Sequence, residues 1–147
     1  APAFHVPSAE PHKAAASAPR LKVLVADDVP DSTQSLGMGL EMLGHEVQTA
    51  ADGHQALELA ARFQPHMAIL DIGMPGLDGY DVARTIRSKP WGRNMLLIAL
   101  TGWGQREDVQ RSAAAGFDHH LTKPADFATL ARLIADWVAS RQRSLVQ

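Results

Sequence analysis

The sequence of 147 residues contains no cysteine, which excludes a disulfide framework, a thiolate zinc site and a cysteine nucleophile. It also has no excess of either charge, because a formal net charge of −2 provides no general attraction to nucleic acid or to anionic membranes. No apolar run approaches the roughly 18 residues that span a bilayer. The 46% of hydrophobic and 20% of charged residues are typical of a globular domain. We expect a cytoplasmic domain that contacts neither nucleic acid nor, directly, a membrane, and that is monomeric in isolation.

The first 20 residues differ in composition from the rest of the chain. They are rich in Ala, Ser and Pro, and their four prolines are incompatible with a continuous helix. We predict that residues 1–20 form a disordered interdomain linker and that residues 21–147 form one domain. The chain has no initiator Met and no hydrophobic signal core, so we expect a segment of a longer protein, whose other parts can include a membrane anchor.

From residue 21 onward, short apolar runs alternate with stretches of helical periodicity. This alternation predicts five strands and five helices, and therefore a parallel sheet covered by helices on both faces. The predicted strands are 21–26, 46–50, 67–70, 95–100 and 118–121, and the predicted helices are 31–43, 53–64, 78–88, 105–115 and 126–141. Glycine and proline predict helix ends at Gly44, Pro65 and Gly116, and acidic residues predict N-caps at Asp31, Asp78 and Asp126.

Polar side chains follow several of these strands at the point where each strand ends. Asp27 and Asp28 follow the first strand, Asp71 follows the third, Thr101 ends the fourth and Lys123 follows the fifth. Because the carboxyl ends of parallel strands share one edge of a sheet, these side chains should converge there. Three carboxylates in one place repel one another unless a cation joins them, which predicts a Mg²⁺ site. A hydroxyl and an ammonium complete a site that can hold a phosphoryl group on an aspartate.

In this order and strand context, these residues resemble the receiver domain of two-component response regulators over about residues 21–141. The matching elements are the Asp27-Asp28 pair, the segment 71–79 (Asp-Ile-Gly-Met-Pro-Gly-Leu-Asp-Gly), Thr101-Gly102 and Lys123-Pro124. The Lys-Pro bond is a candidate for a cis peptide. The resemblance implies a (βα)₅ flavodoxin-like fold, with five parallel strands in the order 2-1-3-4-5 and helices on both faces.

The resemblance also implies a role for each matching residue. Asp71 would be the phosphoacceptor, and Thr101 and Lys123 would bind the phosphoryl oxygens. The Mg²⁺ ligands would be Asp27, Asp28, Asp71 and the backbone carbonyl of Gly73. The donor would be a phosphohistidine on a histidine kinase or a histidine phosphotransfer domain. The domain itself would catalyse only its own phosphorylation and slow dephosphorylation.

Two segments suggest the wider context of the domain. Residues 99–104 and 116–124 look most like receivers fused to the C-terminus of hybrid sensor histidine kinases. The predicted linker and the lack of an output domain agree with that arrangement. A stand-alone, single-domain response regulator is the alternative.

One position departs from the receiver pattern. Three residues before Lys123, receivers usually carry Tyr or Phe as a rotamer switch, whereas this chain carries His120. The ring either faces inward near Thr101 or stays outward and solvated, and we expect the outward orientation. Because His119 and His120 are adjacent on a strand, they face opposite sides, which argues against a metal site formed by the pair.

The first predicted helix carries two kinds of apolar residue. Leu36, Leu40 and Leu43 share one face and should pack on the sheet. Met38 and Met42 lie on another face, either as ordinary half-buried methionines or as an exposed patch that docks a protein partner.

Three other interpretations compete with an active receiver. A flavodoxin-like nucleotide or flavin binder needs a Ser/Thr/Gly-rich loop after the first strand, and the acids of residues 27–31 would repel its phosphate. A haloacid-dehalogenase-type phosphatase needs a second acid two residues after its nucleophile, where this chain has Gly73. A degenerate receiver would lack phosphorylation residues, and all of them are present.

Overall fold

A computed structural model describes residues 20–102 and 106–146 of the protein. The predicted linker, apart from Arg20, lies outside the described residues. The elements in chain order are β1 (Lys22–Ala26), α1 (Pro30–Met42), β2 (Glu46–Ala50), α2 (Gly53–Phe63), β3 (Met67–Asp71), α3 (Gly79–Arg87), a 3₁₀ turn (Pro90–Gly92), β4 (Leu96–Thr101), α4 (Arg106–Ala115), β5 (His119–Thr122) and α5 (Phe127–Val146).

The five strands form one parallel sheet in the order β2-β1-β3-β4-β5, which confirms the predicted fold. The strand bounds agree with the predicted ones within one residue at each end. In the register of the sheet, Asp71 lies opposite Leu100, and Thr101 lies opposite Thr122. The carboxyl ends of β3, β4 and β5 are therefore level with one another, and the residues that end or follow them share one edge.

Both faces of the sheet are buried, because the central strands alternate apolar side chains between two layers of helices. In β1, Leu24 and Ala26 face one core, and Val23 and Val25 face the other. The first core also contains Leu59, Phe63, Val82, Ile86 and Ala115 from α2, α3 and α4. The second contains Leu36, Leu40, Leu130 and Ile134 from α1 and α5. Burial of each such aliphatic side chain contributes about 1.5–3 kcal/mol, which fixes the sheet between its helices.

Two of the three predicted acidic caps are confirmed. The Asp78 carboxylate accepts a hydrogen bond from Asp81 N at 3.0 Å, and the Asp81 carboxylate accepts one from Asp78 N, which completes a capping box. Asp126 accepts a hydrogen bond from Ala128 N at 3.3 Å at the start of α5. The prediction for Asp31 is wrong, because α1 begins at Pro30 with Val29 in the cap position. Proline has a backbone dihedral suited to the first turn and no N–H to satisfy, so the helix starts ahead of the acid.

The end of α1 differs from the prediction at one leucine. Leu36 and Leu40 are buried as expected, but Leu43 is 43% exposed and does not pack on the sheet. The helix ends at Met42, and the chain turns at Gly44, whose φ is +96°. Leu43 therefore leaves the leucine face of the helix. Met38 and Met42 are 63% and 86% exposed, which establishes the exposed patch and rules out two half-buried methionines.

Candidate phosphorylation site

Three carboxylates converge at the carboxyl edge of the sheet. One oxygen from each of Asp27, Asp28 and Asp71 lies within 4.8 Å of the other two. Asp27 and Asp71 are buried and Asp28 is exposed. The sheet produces this convergence because β1 and β3 are neighbours, and Asp27 and Asp71 stand at their carboxyl ends.

Backbone N–H groups orient the two buried carboxylates. Asp27 Oδ1 accepts a hydrogen bond from Val29 N at 2.9 Å, and Asp71 Oδ1 accepts one from Gly73 N at 3.0 Å. In each residue the other oxygen, Oδ2, faces the ammonium of Lys123, at 3.0 Å for Asp27 and 3.2 Å for Asp71. Each carboxylate thus has one oxygen held by its own loop and one directed into the site.

Lys123 is positioned from the neighbouring strand. Its backbone N donates to Thr101 O at 2.7 Å, and the Lys123-Pro124 peptide is cis, as the sequence suggested. Burial by itself lowers the pKa of the Lys123 ammonium, but the hydrogen bonds and charges of Asp27 and Asp71 outweigh it and raise that pKa. Lys123 is therefore a permanent cation at neutral pH.

The surroundings of Asp71 disfavour a negative charge on its carboxyl group. Burial raises the pKa of its carboxyl above the ordinary value, and the negative charge of Asp27 acts in the same direction. The Gly73 N–H and the Lys123 ammonium oppose this rise without cancelling it. The folded protein thus disfavours the ionised Asp71 relative to an aspartate in water, mainly because burial removes water from the carboxylate and further because Asp27 repels its charge.

The acidic cluster fits a hard divalent cation. All three side chains offer carboxylate oxygens, which Mg²⁺ prefers, and the described residues bring no thiolate or imidazole into the cluster. The buried Oδ2 of Asp27 is directed toward the same space as Oδ2 of Asp71. The role of the Gly73 carbonyl stays a prediction, since only the Gly73 N–H has a described contact with the site.

Thr101 and His120 form a contact that contradicts the expected outward orientation of His120. Thr101 ends β4 and is 1% exposed, and its Oγ1 lies 3.0 Å from His120 Nε2. The register explains this contact. Thr101 is opposite Thr122, so His120, two residues earlier on β5, lies on the same face as a diagonal neighbour. His119 faces the other side and is exposed, as predicted.

A groove of about 580 Å³ opens beside the carboxylates, between α1 and the start of α5. Its walls include Asp27 and Lys123 from the site and Leu100 from β4, together with Ser32, Ser35, Gly39 and Phe127. Sequence analysis missed these last four residues. The one available signal was Gly39, where a Cβ would lie 2.6 Å from the Phe127 ring, so a larger residue would force this ring to shift.

Within residues 20–102 and 106–146, no helix combines the length and the apolar character needed to cross a membrane.

A family model and similar proteins of known sequence indicate the same family for this chain. The model of the response regulator receiver domain matches residues 23–135. An uncharacterized 14.6 kDa protein of Leptolyngbya boryana is 36% identical over 118 residues, which cover 80% of this chain and 90% of that protein. Response regulator PleD of Caulobacter vibrioides is 36% identical over 105 residues, which cover 71% of this chain but only 23% of that protein.

Solved structures agree with the sequence matches. The receiver domain of sensor histidine kinase PA1611 from Pseudomonas aeruginosa PAO1 superposes with a TM-score of 0.75 and 32% identity, covering 82% of this chain and 99% of that one. That structure has a magnesium ion coordinated in its active site cleft. The fold, the acidic edge and these matches together show that the chain belongs to the response regulator receiver domain family of two-component signalling.

Proposed function

We propose that this receiver domain accepts a phosphoryl group on Asp71 from a phosphohistidine and later loses it by slow hydrolysis. The observation that carries the proposal is the Lys123 ammonium, which contacts Oδ2 of both Asp27 and Asp71 inside a cluster of three carboxylates. Receiver domains interact with histidine kinases or phosphotransfer proteins, so the donor is a histidine on such a partner.

Asp71 is suited to be the nucleophile of the transfer. Its Oδ1 is held by Gly73 N, and its Oδ2 is directed into the site. An Asp71 oxygen forms the new P–O bond as the P–N bond of the phosphohistidine breaks, and the electron pair of that bond returns to the imidazole nitrogen. Because the folded protein disfavours the Asp71 carboxylate, spreading its charge onto a transferring group relieves part of that cost.

Lys123 and Thr101 stabilise the charge that develops on the phosphoryl oxygens. The Lys123 ammonium is already beside Asp71, and the Thr101 hydroxyl lies at the same edge of the sheet. The residues that would hold Mg²⁺ are Asp27, Asp28 and Asp71, with the Gly73 carbonyl as a further ligand. When bound, Mg²⁺ supplies positive charge that offsets both the carboxylates and the phosphoryl oxygens.

The partner is proposed to dock a helical segment on α1. Met38 and Met42 are exposed on that helix, and the groove between α1 and α5 leads to the carboxylates. Flexible methionine side chains adapt to a partner surface, and an apolar patch of this kind suits a helix that carries the donor histidine.

The parent protein is proposed to be a hybrid sensor histidine kinase with this domain near its C-terminus. The segments 99–104 and 116–124 support that context, as does the similarity to the PA1611 receiver, which is part of a histidine kinase. A stand-alone regulator is the second candidate, supported by the Leptolyngbya boryana protein, of which the match covers 90%.

The experiment that tests the function is intact mass spectrometry after incubation with phosphoramidate and Mg²⁺. The unsubstituted protein should gain one phosphate, and Asp71→Asn should gain none. The matched control is Asp52→Asn, because Asp52 follows β2, the edge strand beside β1, and caps α2, a role that Asn also performs. Phosphate on Asp71→Asn at the parental level would refute the assignment.

A further inference from the structure

The hydrogen bond between Thr101 and His120 constrains what the Thr101 hydroxyl can do. A hydroxyl has one hydrogen to donate and two lone pairs that accept. Thr101 is 1% exposed, and its Oγ1 lies 3.0 Å from His120 Nε2. The β4–β5 register holds the two residues as diagonal neighbours on one face of the sheet. The pairing of the strands therefore builds the contact, and it is not an accident of a surface side chain.

The direction of this hydrogen bond depends on the hydrogens of the ring. If the neutral imidazole carries its hydrogen on Nδ1, then Nε2 accepts and the Thr101 hydroxyl hydrogen is directed to the ring. If Nε2 carries a hydrogen, in the other tautomer or in the imidazolium, the ring donates and the hydroxyl hydrogen can turn to another acceptor. A phosphoryl group offers only acceptor oxygens. While the contact with His120 persists, a hydrogen bond from the Thr101 hydroxyl to the phosphoryl group thus requires the ring to donate.

We propose that His120 is a positioning residue for phosphoryl binding: its Nε2–H holds the Thr101 oxygen and directs the hydroxyl hydrogen toward the phosphoryl group on Asp71. This inference depends on the proposed function of Asp71. A phenylalanine at position 120 would have no N–H, and a tyrosine would present its hydroxyl at the far end of a longer ring. In this chain the ring at position 120 therefore carries a nitrogen within direct hydrogen-bond distance of Thr101 Oγ1.

The described charged groups near β5 have other partners. Lys123 pairs with Asp27 and Asp71, and Asp118 pairs with Arg87. On α4, Arg111 stacks on the Tyr80 ring. The paired segment of β4 from Ile98 to Thr101 contributes no charged side chain, and the side chains of residues 106–109 lie outside the described residues. A phosphoryl dianion bound by Thr101 would thus be a new charge beside the ring, and it favours ring states in which Nε2 carries a hydrogen.

A double-mutant cycle tests the proposal. Labelling of Asp71 by phosphoramidate and Mg²⁺ is followed in His120→Leu and His120→Gln, each alone and combined with Thr101→Val. His120→Leu should slow labelling about tenfold or more, because the Thr101 oxygen loses the donor that directs its hydroxyl hydrogen. His120→Gln retains an N–H donor and should recover part of the rate. In the Thr101→Val background, His120→Leu should have no further effect, because His120 acts through the Thr101 hydroxyl.

Two controls separate positioning from structure. His119→Leu changes the adjacent, exposed histidine on the opposite side and should leave labelling unchanged. In the unsubstituted protein, ¹⁵N spectra of the His120 ring with and without beryllofluoride, a phosphoryl mimic, should show hydrogen on Nε2 in the bound state. This second measurement requires no variant, so it decides the question even if His120→Leu fails to fold.

The outcomes are distinct for the two proposals. Additive effects of His120→Leu and Thr101→Val, or an Nε2 without hydrogen in the beryllofluoride state, would overturn the role of His120. If the protein is labelled and the His120 variants are labelled at the parental rate, the role of His120 would also be refuted. Asp71 would then remain the assigned phosphoacceptor. If the unsubstituted protein takes up no phosphate at all, the proposed function itself fails.

Discussion

The Lys123 ammonium lies 3.2 Å from Oδ2 of Asp71, so the only described cation in the carboxylate cluster touches the proposed phosphoacceptor directly. One positive charge faces three carboxylates, two of them buried. The residues of the site therefore carry an excess of negative charge. This imbalance has consequences for stability as well as for the binding of cations and phosphoryl groups.

Removing the charge of Asp71 should stabilise the fold. The pKa of Asp71 is raised by burial and by Asp27, so the folded state disfavours ionisation. The resulting penalty is absent below the unfolded pKa and complete above the folded pKa. In Mg²⁺-free buffer at pH 7, Asp71→Asn should increase the free energy of unfolding by about 0.5–2 kcal/mol, a common gain when a functional site is relieved.

Urea unfolding measures this effect, and the gain should shrink as the pH falls through the raised pKa of folded Asp71 and disappear below the unfolded pKa, about 3.9. Asp52→Asn, which keeps its capping role, should show no such change. A destabilised Asp71→Asn at pH 7 would mean that the Lys123 ion pair outweighs the repulsion.

Cation binding should depend on the exposed acid of the cluster. Asp28 contributes one of the three converging oxygens and has no described hydrogen bond that fixes the fold. We expect Asp28→Asn to weaken Mg²⁺ binding about tenfold, because one anionic ligand of a hard cation is lost. Isothermal titration calorimetry gives the affinity, and Asp31→Asn, which changes an exposed acid on α1, provides the control.

Equal Mg²⁺ affinities in Asp28→Asn and the parent would exclude Asp28 as a ligand. Trp103 fluorescence is a second predicted reporter of Mg²⁺, although Trp103 lies outside the described residues.

The patch formed by Met38 and Met42 should affect the rate of phosphoryl transfer from a protein donor, but not the rate of labelling by a small-molecule donor. Met38→Glu combined with Met42→Glu adds two charges to an exposed surface, where substitutions seldom change stability by more than about 0.5 kcal/mol. Transfer from the phosphorylated histidine partner should slow at least about tenfold, while labelling by phosphoramidate stays at the parental rate. Radiolabel transfer assays measure both reactions.

The control for the patch carries the same added charge elsewhere, in Ala61→Glu with Ala114→Glu on the exposed faces of α2 and α4. If this control slows transfer as much as the methionine variant, net charge explains the effect. Parallel slowing of both donors in the methionine variant would indicate damage to the domain.

Stability should decrease in mild acid because two histidines accept hydrogen bonds at the start of β1. His45 Nδ1 accepts from Leu21 N at 3.2 Å, and His66 Nδ1 accepts from Lys22 N at 2.9 Å. A protonated ring has no acceptor. Burial lowers the pKa of both rings, and the charges of Arg141 and Lys22 lower that of His66 further.

The sign follows from these lowered pKa values. The stabilisation is complete above the unfolded pKa, near 6.5, and is lost as the pH falls below it. Chemical unfolding between pH 7.5 and 5 should show a decline that His45→Asn with His66→Asn reduces, since Asn offers an acceptor that does not titrate. His54→Asn, on an exposed position of α2, is the matched control. Because His66 is exposed to solvent, its contribution to the decline in the free energy of unfolding should be small. An unchanged slope in the double variant would contradict this account.

The sequence by itself determined the fold and the acidic edge. Five apolar runs buried on both faces allow little other than a parallel sheet between helices, and residues that follow such strands must meet at one edge. Sequence signals for helix ends were equally reliable where neighbouring residues alone form the cap, as at the Asp78 capping box. They failed at Asp31 and Leu43, where Pro30 and the turn at Gly44 set the ends of α1.

Only the tertiary structure decided contacts between residues far apart in the chain. The alternation of β5 placed His119 and His120 on opposite sides, but the β4–β5 register decided that His120 meets Thr101. Arg87 shows the same principle, since its guanidinium binds the carbonyls of Gly92, Arg93, Met95 and Gly116 and the carboxylate of Asp118. No periodicity marks such a residue, because its partners are brought to it by the packing of α3 against the loops at the opposite end of the sheet.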